Sequence, residues 1–246
     1  MSTDIGAWSK VAATTVTGSW WTPFARFEET VVLHVDLTAH EDREAEAVAL
    51  LDEAERARWS EFRYPGPRRR FALCRAALRA ILGERLGCPN DRLTFVTSDH
   101  GKPYCLVADE PAPISFNVSH SGSHGLIALA AEGRVGVDVE ERSRRRYLNG
   151  LINTVLTRKE RSEIEGLPHE LRLYSFFRFW TIKEAIIKAV GAGHSLDVSK
   201  IETPTSIRGG ARASIFESPS VPGMRFWVED VGNEDFAAAL AYEILP

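Results

Sequence analysis

The chain has 246 residues, 44% hydrophobic and 26% charged, which is the composition of an ordinary globular protein. Thirty lysines and arginines against 34 aspartates and glutamates give a formal charge of −4, which argues against a nucleic-acid binder. Because the sequence has neither a secretory signal pattern nor an apolar run near the ~20 residues that a membrane helix needs, we expect a cytoplasmic protein.

The first 28 residues are rich in Ser, Thr and Ala and contain three tryptophans, and we interpret them as a partly ordered arm. From Val31 the pattern sharpens. The run VVLHVDL alternates as a strand, DREAEAVALLDEAERARWSEF has the periodicity of one helix, and RRRFALCRAALRAILGERLG predicts a second helix that ends at glycine.

The second half repeats this order of elements. VGVDVE predicts a strand, LINTVLTRKERSEIEG a helix, and SFFRFWTIKEAIIKAVGAG a helix that again ends at glycine. At nearly constant separation, three positions of the first half match three of the second: Asp36 with Asp138, Leu51 with Leu156, and Gly83 with Gly191.

This repeat predicts an α+β protein of two pseudo-symmetric halves, each a small antiparallel sheet packed with helices. We place the halves at residues 29–133 and 134–246, after the arm of residues 1–28. A ligand cleft is expected between them.

Three carboxylates and a lysine are the candidate chemical centre. If the valines of VGVDVE point to one face of the strand, Asp138 and Glu140 share the other, and Glu184 precedes Lys188 by one helical turn. Such an oxygen-rich set suits Mg²⁺. Spacing alone favours the plainer alternative, a solvated strand face and a surface ion pair.

Zinc is not indicated, because no histidines are paired at ligand spacing and the three cysteines form no CxxC pair. Lys102 in a glycine-proline turn, and Ser119 with His120 at the end of a strand, are suited to hold a phosphate. Taken singly, each is more typical of local hydrogen bonding. The arginines that crowd the second helix are, by themselves, typical of a solvated face.

Four segments together resemble a known family. GKPY, FNVSHSG, GVDVE and FWTIKEAIIKAVGAG, in this order and spacing, resemble the 4′-phosphopantetheinyl transferase superfamily, in particular its long, surfactin-type branch. The resemblance covers roughly residues 31 to 245, and the pairing of G-[VI]-D-x-E with W-[ST]-x-K-E-A-x-x-K is its specific part. It implies two similar α+β halves around one cleft.

The resemblance implies an enzyme that moves 4′-phosphopantetheine from coenzyme A to a serine of an apo acyl or peptidyl carrier protein, releasing adenosine 3′,5′-bisphosphate. Asp138, Glu140 and Glu184 match the family's magnesium ligands. Glu184 also matches the proposed general base, and Lys188 matches the lysine that contacts the pyrophosphate. We expect a monomer that binds neither nucleic acid nor membrane.

The resemblance also implies residues that bind coenzyme A. Ser119 and His120 match positions on the nucleotide and its 3′-phosphate, and Lys102 lies nearby in the family pattern. Arg70 and Arg75 match basic positions of the first half, and Arg58 stands where the family has a lysine.

One active site per chain follows from the same comparison, because the first half has His34 and Asp36 at the strand position and Ala76 opposite Glu184. The arginines at 144–146 are expected to steer an acidic carrier protein to the site. Glu160 matches an acidic family position to which no role is assigned.

Two other classes of function remain open. One is a coenzyme A-binding regulatory protein with a decayed active site, and the other is a metal-dependent phosphohydrolase that uses the same carboxylates. Intact Asp138, Glu140, Glu184 and Lys188 argue against decay. A hydrolase would need no carrier protein.

Overall fold

A computed structural model describes residues 18–98, 101–142, 148–193 and 196–245. Within these ranges the helices are α1 (Glu41–Leu50), α2 (Glu53–Glu61), α3 (Pro65–Leu86), α4 (Leu148–Val155), α5 (Arg158–Glu165), α6 (His169–Val190) and α7 (Thr205–Arg208). The strands are β1 (Trp21–Phe27), β2 (Thr30–Asp36), β3 (Leu93–Thr97), β4 (Pro103–Val107), β5 (Glu110–Pro111), β6 (Ser115–Ser121), β7 (His124–Ala130), β8 (Val135–Glu141), β9 (Ala213–Phe216), β10 (Phe226–Asp230) and β11 (Phe236–Glu243).

The described strands form three antiparallel sheets. The N-terminal sheet has the order β1-β2-β7-β6, the C-terminal sheet has the order β8-β11-β10-β9, and β3-β4-β5 form a small third sheet. The order β2-β7-β6 in the first half corresponds to β8-β11-β10 in the second. The predicted α+β fold of two similar halves is therefore confirmed.

The long helices α3 and α6 have 22 residues each and hold the same place in their halves. Each ends at a left-handed glycine, Gly87 (φ 61°) and Gly191 (φ 75°), a conformation in which other residues are strained. The expected match of Gly83 to Gly191 is wrong, because Gly83 lies inside α3 and Gly87 is the equivalent cap. No described helix is long and apolar enough to cross a membrane.

The first half has no carboxylate at the position equivalent to Glu184. When α3 and α6 are aligned end to end, Glu184 lies opposite Ala80 rather than the expected Ala76. On the strand side, Asp36 ends β2 and forms an ion pair with Arg43 at 2.7 Å. At these two positions, the residues of the first half therefore have a structural role and do not form a second set of carboxylates.

Both helices predicted before the long helices are broken in two, so the single-helix predictions are wrong. Asp52 separates α1 from α2, because its side chain accepts the Glu55 N–H while the Glu55 carboxylate accepts the Asp52 N–H. Thr157 separates α4 from α5 and forms the same capping box with Glu160. The apolar periodicity continues through both breaks and hides them.

Each capping-box glutamate also forms a buried ion pair with the long helix of its half. Glu55 lies 3.2 Å from Arg79 on α3, and Glu160 lies 2.5 Å from Lys183 on α6. Burial acts to raise the pKa of Glu160, but the Lys183 ammonium and backbone hydrogen bonds hold it below its ordinary value. The acidic position without an assigned role is therefore structural: it fixes α5 to α6.

The described part of the predicted arm belongs to the N-terminal sheet. β1 pairs along β2, and Trp20 and Trp21 are buried with their rings in edge-to-face contact at 4.7 Å. Two large apolar rings give this segment enough buried surface to hold it in place. Residues 1–17 lie outside the described residues.

The two halves meet where β6 runs beside β8, and side chains rather than a main-chain ladder join them. The Asn117 Oδ1 accepts the Val137 N–H at 2.9 Å, and the Ser119 hydroxyl donates to the Asp138 Oδ1 at 2.8 Å. An apolar layer behind this seam includes buried side chains from both sheets, among them Val32, Leu126, Ala128, Val137, Val139 and Leu240.

Gly136 lets α6 lie directly on β8. A Cβ at this position would overlap the Ala185 carbonyl oxygen and the Ala189 nitrogen of the helix backbone. Because both neighbours are backbone atoms, a side chain would have to push the helix away. This contact holds α6, with Glu184 and Lys188, against the strand of Asp138.

We predict that Gly136→Ala destabilises the chain by about 2 kcal/mol or more and displaces α6 from β8. The free energy of unfolding in urea measures the effect. Gly150→Ala is the matched control, because a Cβ at Gly150, on α4, meets nothing within 4 Å. The control should be neutral or slightly stabilising, since alanine is the better helix former. Equal stability of the two variants would contradict the packing argument.

Candidate active site

Two adjoining cavities lie along the seam between the halves. The larger, about 590 Å³, is lined by Lys102 and Asn117 among others, and the smaller, about 380 Å³, is lined by Asp138 and Glu140. Glu184 and Lys188 line both. The cleft expected between the halves is therefore present, and these two side chains of α6 stand where its two parts join.

The three predicted carboxylates face the same cavity. Asp138 and Glu140 lie two residues apart on β8 and reach it from the strand, while Glu184 reaches it from α6. The alternating valines of β8 point to the opposite, buried side. The period-two pattern therefore correctly placed the acidic pair on one face.

Lys188 ties the helix to the strand. Its ammonium donates to the Asp138 Oδ1 at 2.7 Å and to the Ser119 hydroxyl at 2.9 Å, and that hydroxyl donates to the same Asp138 oxygen at 2.8 Å. The other oxygen, Oδ2, is buried and has no hydrogen-bond partner in the described part of the chain. An unpaired carboxylate oxygen of this kind is costly and invites a cation or a donor from a ligand.

The donor set suits a hard divalent cation. Carboxylate oxygens beside a cavity large enough for phosphate are the ligands that Mg²⁺ takes, and it commonly completes its shell with waters and substrate oxygens. Among the described residues, no three His, Cys, Asp or Glu side chains are grouped closely enough to hold an ion by themselves. In this arrangement the Lys188 ammonium compensates the charge of Asp138.

Ser119 and His120 are adjacent but differ in surroundings. Ser119 is buried and fully used by Asp138 and Lys188, whereas His120 is exposed at the rim of the smaller cavity. The pKa of His120 is lowered, first by desolvation in the cleft and then by the charges of Arg70 and Lys188. Basic residues of both halves, Arg70 in the first and Lys188 in the second, therefore contribute to the lowered pKa of His120.

Lys102 closes the far side of the larger cavity. Its ammonium donates to the carbonyl oxygens of Val135 and Ala189 at 3.1 Å each, so it fastens the third sheet to β8 and α6. Burial, aided by the charge of Arg134, lowers its pKa to about 8. The resemblance assigned this lysine to nucleotide binding; its contacts also make it a structural clamp.

The three arginines expected to bind the nucleotide have unequal surroundings. The charge of Arg70 contributes to the lowered pKa of His120. Arg58, an exposed residue of α2, lies over the ring of Phe71 on α3, 5.5 Å from the ring centre. None of the three lines either cavity.

Arg75 is held by its own half. Its guanidinium lies 4.2 Å from the centre of the Phe95 ring and 3.5 Å from Glu55, with one nitrogen buried and unpaired among the described residues. Desolvation lowers its pKa, and Glu55 opposes this effect. The structure does not bring Arg75 to the two cavities.

Sequence reasoning missed two residues near the cleft, Trp180 and Ser121, and named Asn117 only as a strand-end neighbour of Ser119 and His120. Trp180 lines the smaller cavity one helical turn before Glu184, and Asn117 lines the larger one. Ser121 donates its hydroxyl to the Glu140 Oε2 at 2.6 Å. The alternation of Asn117, Ser119 and Ser121 in FNVSHSG indicates the polar residues of β6, because it gives the strand one polar face.

The arrangement defines a class of protein: two α+β halves around a cleft, with carboxylates and an ammonium on its wall, a lining suited to a phosphorylated ligand. Two family models match the chain, "4'-phosphopantetheinyl transferase superfamily" over residues 134–241 and "4'-phosphopantetheinyl transferase, N-terminal" over residues 38–133. The chain belongs to the 4′-phosphopantetheinyl transferase superfamily.

Individual relatives agree with this family. The chain is 32% identical to the 4′-phosphopantetheinyl transferase HetI of Nostoc sp. over 175 residues, which is 71% of this chain and 72% of that protein. It is 35% identical to a Synechocystis sp. protein whose name gives the same activity, over 62% of each chain. A Xenopus laevis L-aminoadipate-semialdehyde dehydrogenase-phosphopantetheinyl transferase is 31% identical, over 54% of this chain and 46% of its own length.

We predict that Lys102→Met removes a pH dependence of stability. Because the pKa of Lys102 is about 8 in the folded chain against 10.5 as its ordinary value, the unfolded state holds this proton more tightly. The free energy of unfolding should rise between these two pH values, by up to about 3 kcal/mol before solvent screening.

The measurement is urea unfolding across that pH range. Lys102→Met should lose the rise, whereas Lys200→Met, at a lysine whose side chain is 74% exposed, should keep it. The same pH profile in wild type and Lys102→Met would show that Lys102 is not the titrating group.

Proposed function

We propose that this chain transfers 4′-phosphopantetheine from coenzyme A to a serine of an apo acyl or peptidyl carrier protein, releasing adenosine 3′,5′-bisphosphate. The observation that carries the proposal is that Asp138, Glu140, Glu184 and Lys188 all line the smaller cavity, and that Glu184 and Lys188 also line the larger one. The activity in the names of the relatives supports the same assignment.

Asp138, Glu140 and Glu184 are proposed to hold Mg²⁺, and the buried unpaired oxygen of Asp138 supports this. When bound, the ion supplies charge neutralisation for the coenzyme A pyrophosphate. Ser119 and Lys188 fix the orientation of Asp138 through the other oxygen. The Asp138 carboxylate is therefore held in a fixed orientation before any ligand binds.

Glu184 is proposed as the general base. It stands at the join of the cavities, where a serine hydroxyl from one side meets a pyrophosphate on the other. The serine oxygen attacks the phosphorus next to pantetheine, its proton passes to Glu184 directly or through water, and the bond to the nucleotide phosphate breaks. Lys188 stabilises the negative charge that the departing bisphosphate gains.

The nucleotide end of coenzyme A is proposed to lie against the first half. Arg70 is proposed to provide positive charge for the 3′-phosphate, and His120 an imidazole N–H donor at the rim, with Ser119 and Lys102 nearby. Arg58 and Arg75 are proposed as further basic groups of this half. For Arg75 to reach the phosphate, its contact with Glu55 has to be exchanged for the ligand.

The carrier protein is proposed to approach over α4 and the end of β8. There Arg142 lies 4.7 Å from the ring of Tyr174, an exposed aromatic residue, so a cation and an apolar surface are presented together. An acidic partner would be attracted to this surface. The arginines at 144–146, expected to steer the carrier, lie outside the described residues.

The division into a first half at 29–133 and a second at 134–246 stays a proposal, supported by the ranges of the two family models. We also propose that the chain acts in the cytoplasm as a monomer, independently of nucleic acid and membranes. Gel filtration with light scattering tests the oligomeric state.

The direct test is incubation with coenzyme A and Mg²⁺, with and without apo-carrier proteins, followed by mass spectrometry. A transferase adds the phosphopantetheine mass to the carrier serine and releases the bisphosphate only when the carrier is present. A phosphohydrolase releases it in both tubes, and a regulatory coenzyme A-binding protein releases it in neither. Either of the last two results would contradict the proposal.

We predict that Glu184→Gln lowers kcat by on the order of 10²–10⁴, because the amide cannot accept the serine proton. Coenzyme A should still bind, as measured by calorimetry. Glu110→Gln, which removes the same charge from an exposed position on β5, should leave kcat unchanged. A wild-type kcat for Glu184→Gln under conditions where chemistry limits the rate would move the base role to another group.

We predict that His120→Ala and Arg70→Ala each weaken coenzyme A binding about 10- to 150-fold, the range of one charge-assisted contact. Dephospho-coenzyme A, which lacks the 3′-phosphate, should bind both variants nearly as it binds wild type. Calorimetry with the two ligands makes the comparison. A variant that weakens both ligands equally would place its residue on the pyrophosphate or in the cleft framework.

A further inference from the structure

A row of polar side chains on β6 contacts β8 and the residue Gly133 before it, at every other position of β6. Ser115 donates to the Gly133 carbonyl, Asn117 accepts the Val137 N–H, and Ser119 and Ser121 donate to Asp138 and Glu140. Two of these four contacts end on backbone, at Gly133 before β8 and at Val137 on β8, and two end on carboxylates of the second half. The row therefore does more than join the halves.

Among the described residues, the Ser121 hydroxyl donates to one acceptor, the Oε2 of Glu140, at 2.6 Å. Ser121 is 8% exposed, so water competes little for its hydroxyl. Glu140 lies near the end of β8 and has three side-chain torsions. A short hydrogen bond from a hydroxyl to its charged carboxylate restricts these torsions. One oxygen of Glu140 is thereby held from the first half.

Ser119 occupies the equivalent place beside Asp138, but it also accepts from Lys188. Substituting Ser119 therefore disturbs an ion pair as well as a carboxylate. Substituting Ser121 removes one contact to one carboxylate, so its effect can be interpreted.

We propose that Ser121 is a positioning residue that orients the Glu140 carboxylate for the divalent cation. This inference rests on the proposed function, since it takes Glu140 as a metal ligand. Donors that orient ligating carboxylates typically change metal affinity 10–100-fold when they are removed. The first half would then set the affinity of a site whose ligands all come from the second.

The experiment measures Mn²⁺ binding to the full chain in the presence of coenzyme A, by the electron paramagnetic resonance signal of free Mn²⁺. Ser121→Ala should weaken Mn²⁺ binding 10–100-fold, and Ser121→Thr, which keeps the hydroxyl, should bind it nearly as wild type does. Coenzyme A affinity without metal should not change in either variant. Thermal unfolding checks that each variant is folded.

Ser115→Ala is the matched control. It deletes a hydrogen bond of the same 2.6 Å length from the same row, but its acceptor is a backbone carbonyl. It should lower thermal stability and leave Mn²⁺ affinity unchanged. Wild-type Mn²⁺ affinity in Ser121→Ala, an equal loss in Ser115→Ala, or a Ser121→Thr variant as weak as Ser121→Ala would each overturn the proposal.

Failure of this inference is distinguishable from failure of the proposed function. If wild type modifies apo-carrier and binds Mn²⁺ while Ser121→Ala binds it equally well, only the positioning role is lost. If wild type neither modifies carrier nor binds Mn²⁺, the transferase proposal itself fails.

Discussion

The candidate site depends on the absence of a side chain at residue 136. Because Gly136 leaves room for the backbone at Ala185 and Ala189, α6 lies directly on β8. Only at this distance does the ammonium of Lys188 reach Asp138 on the strand, at 2.7 Å. The electrostatics of the cleft therefore rest on a steric condition: the charged groups meet because two backbones touch.

The two halves share a frame but differ in chemistry. In both, a capping-box glutamate is buried against a cation of the long helix, Glu55 with Arg79 and Glu160 with Lys183. Breaking such a pair would leave an uncompensated buried charge. This cost keeps the short helix of each half packed against the long one. The halves differ at the cleft, where the second half has the carboxylates and the first half has alanine opposite Glu184.

Much of this could be predicted from the sequence, because local periodicity decides it. The alternation around Asp138 gave the acidic face, and the long helices ended at glycine as expected. The helix breaks were missed because the capping boxes lie inside continuous apolar periodicity. The position of Arg75 depends on Glu55 and Phe95, and the role of Ser121 on a strand of the other half. Such tertiary contacts leave no local pattern.

The polar row of β6 has a consequence for the width of the cleft. Strands joined by a main-chain ladder are fixed about 4.8 Å apart, but β6 and β8 are joined through serine and asparagine side chains. A longer residue in the row would move the halves apart without breaking a hydrogen bond inside either sheet. Substitutions along this seam therefore act on the spacing of the halves while both main-chain ladders stay intact, which is not so for a strand inside a continuous sheet.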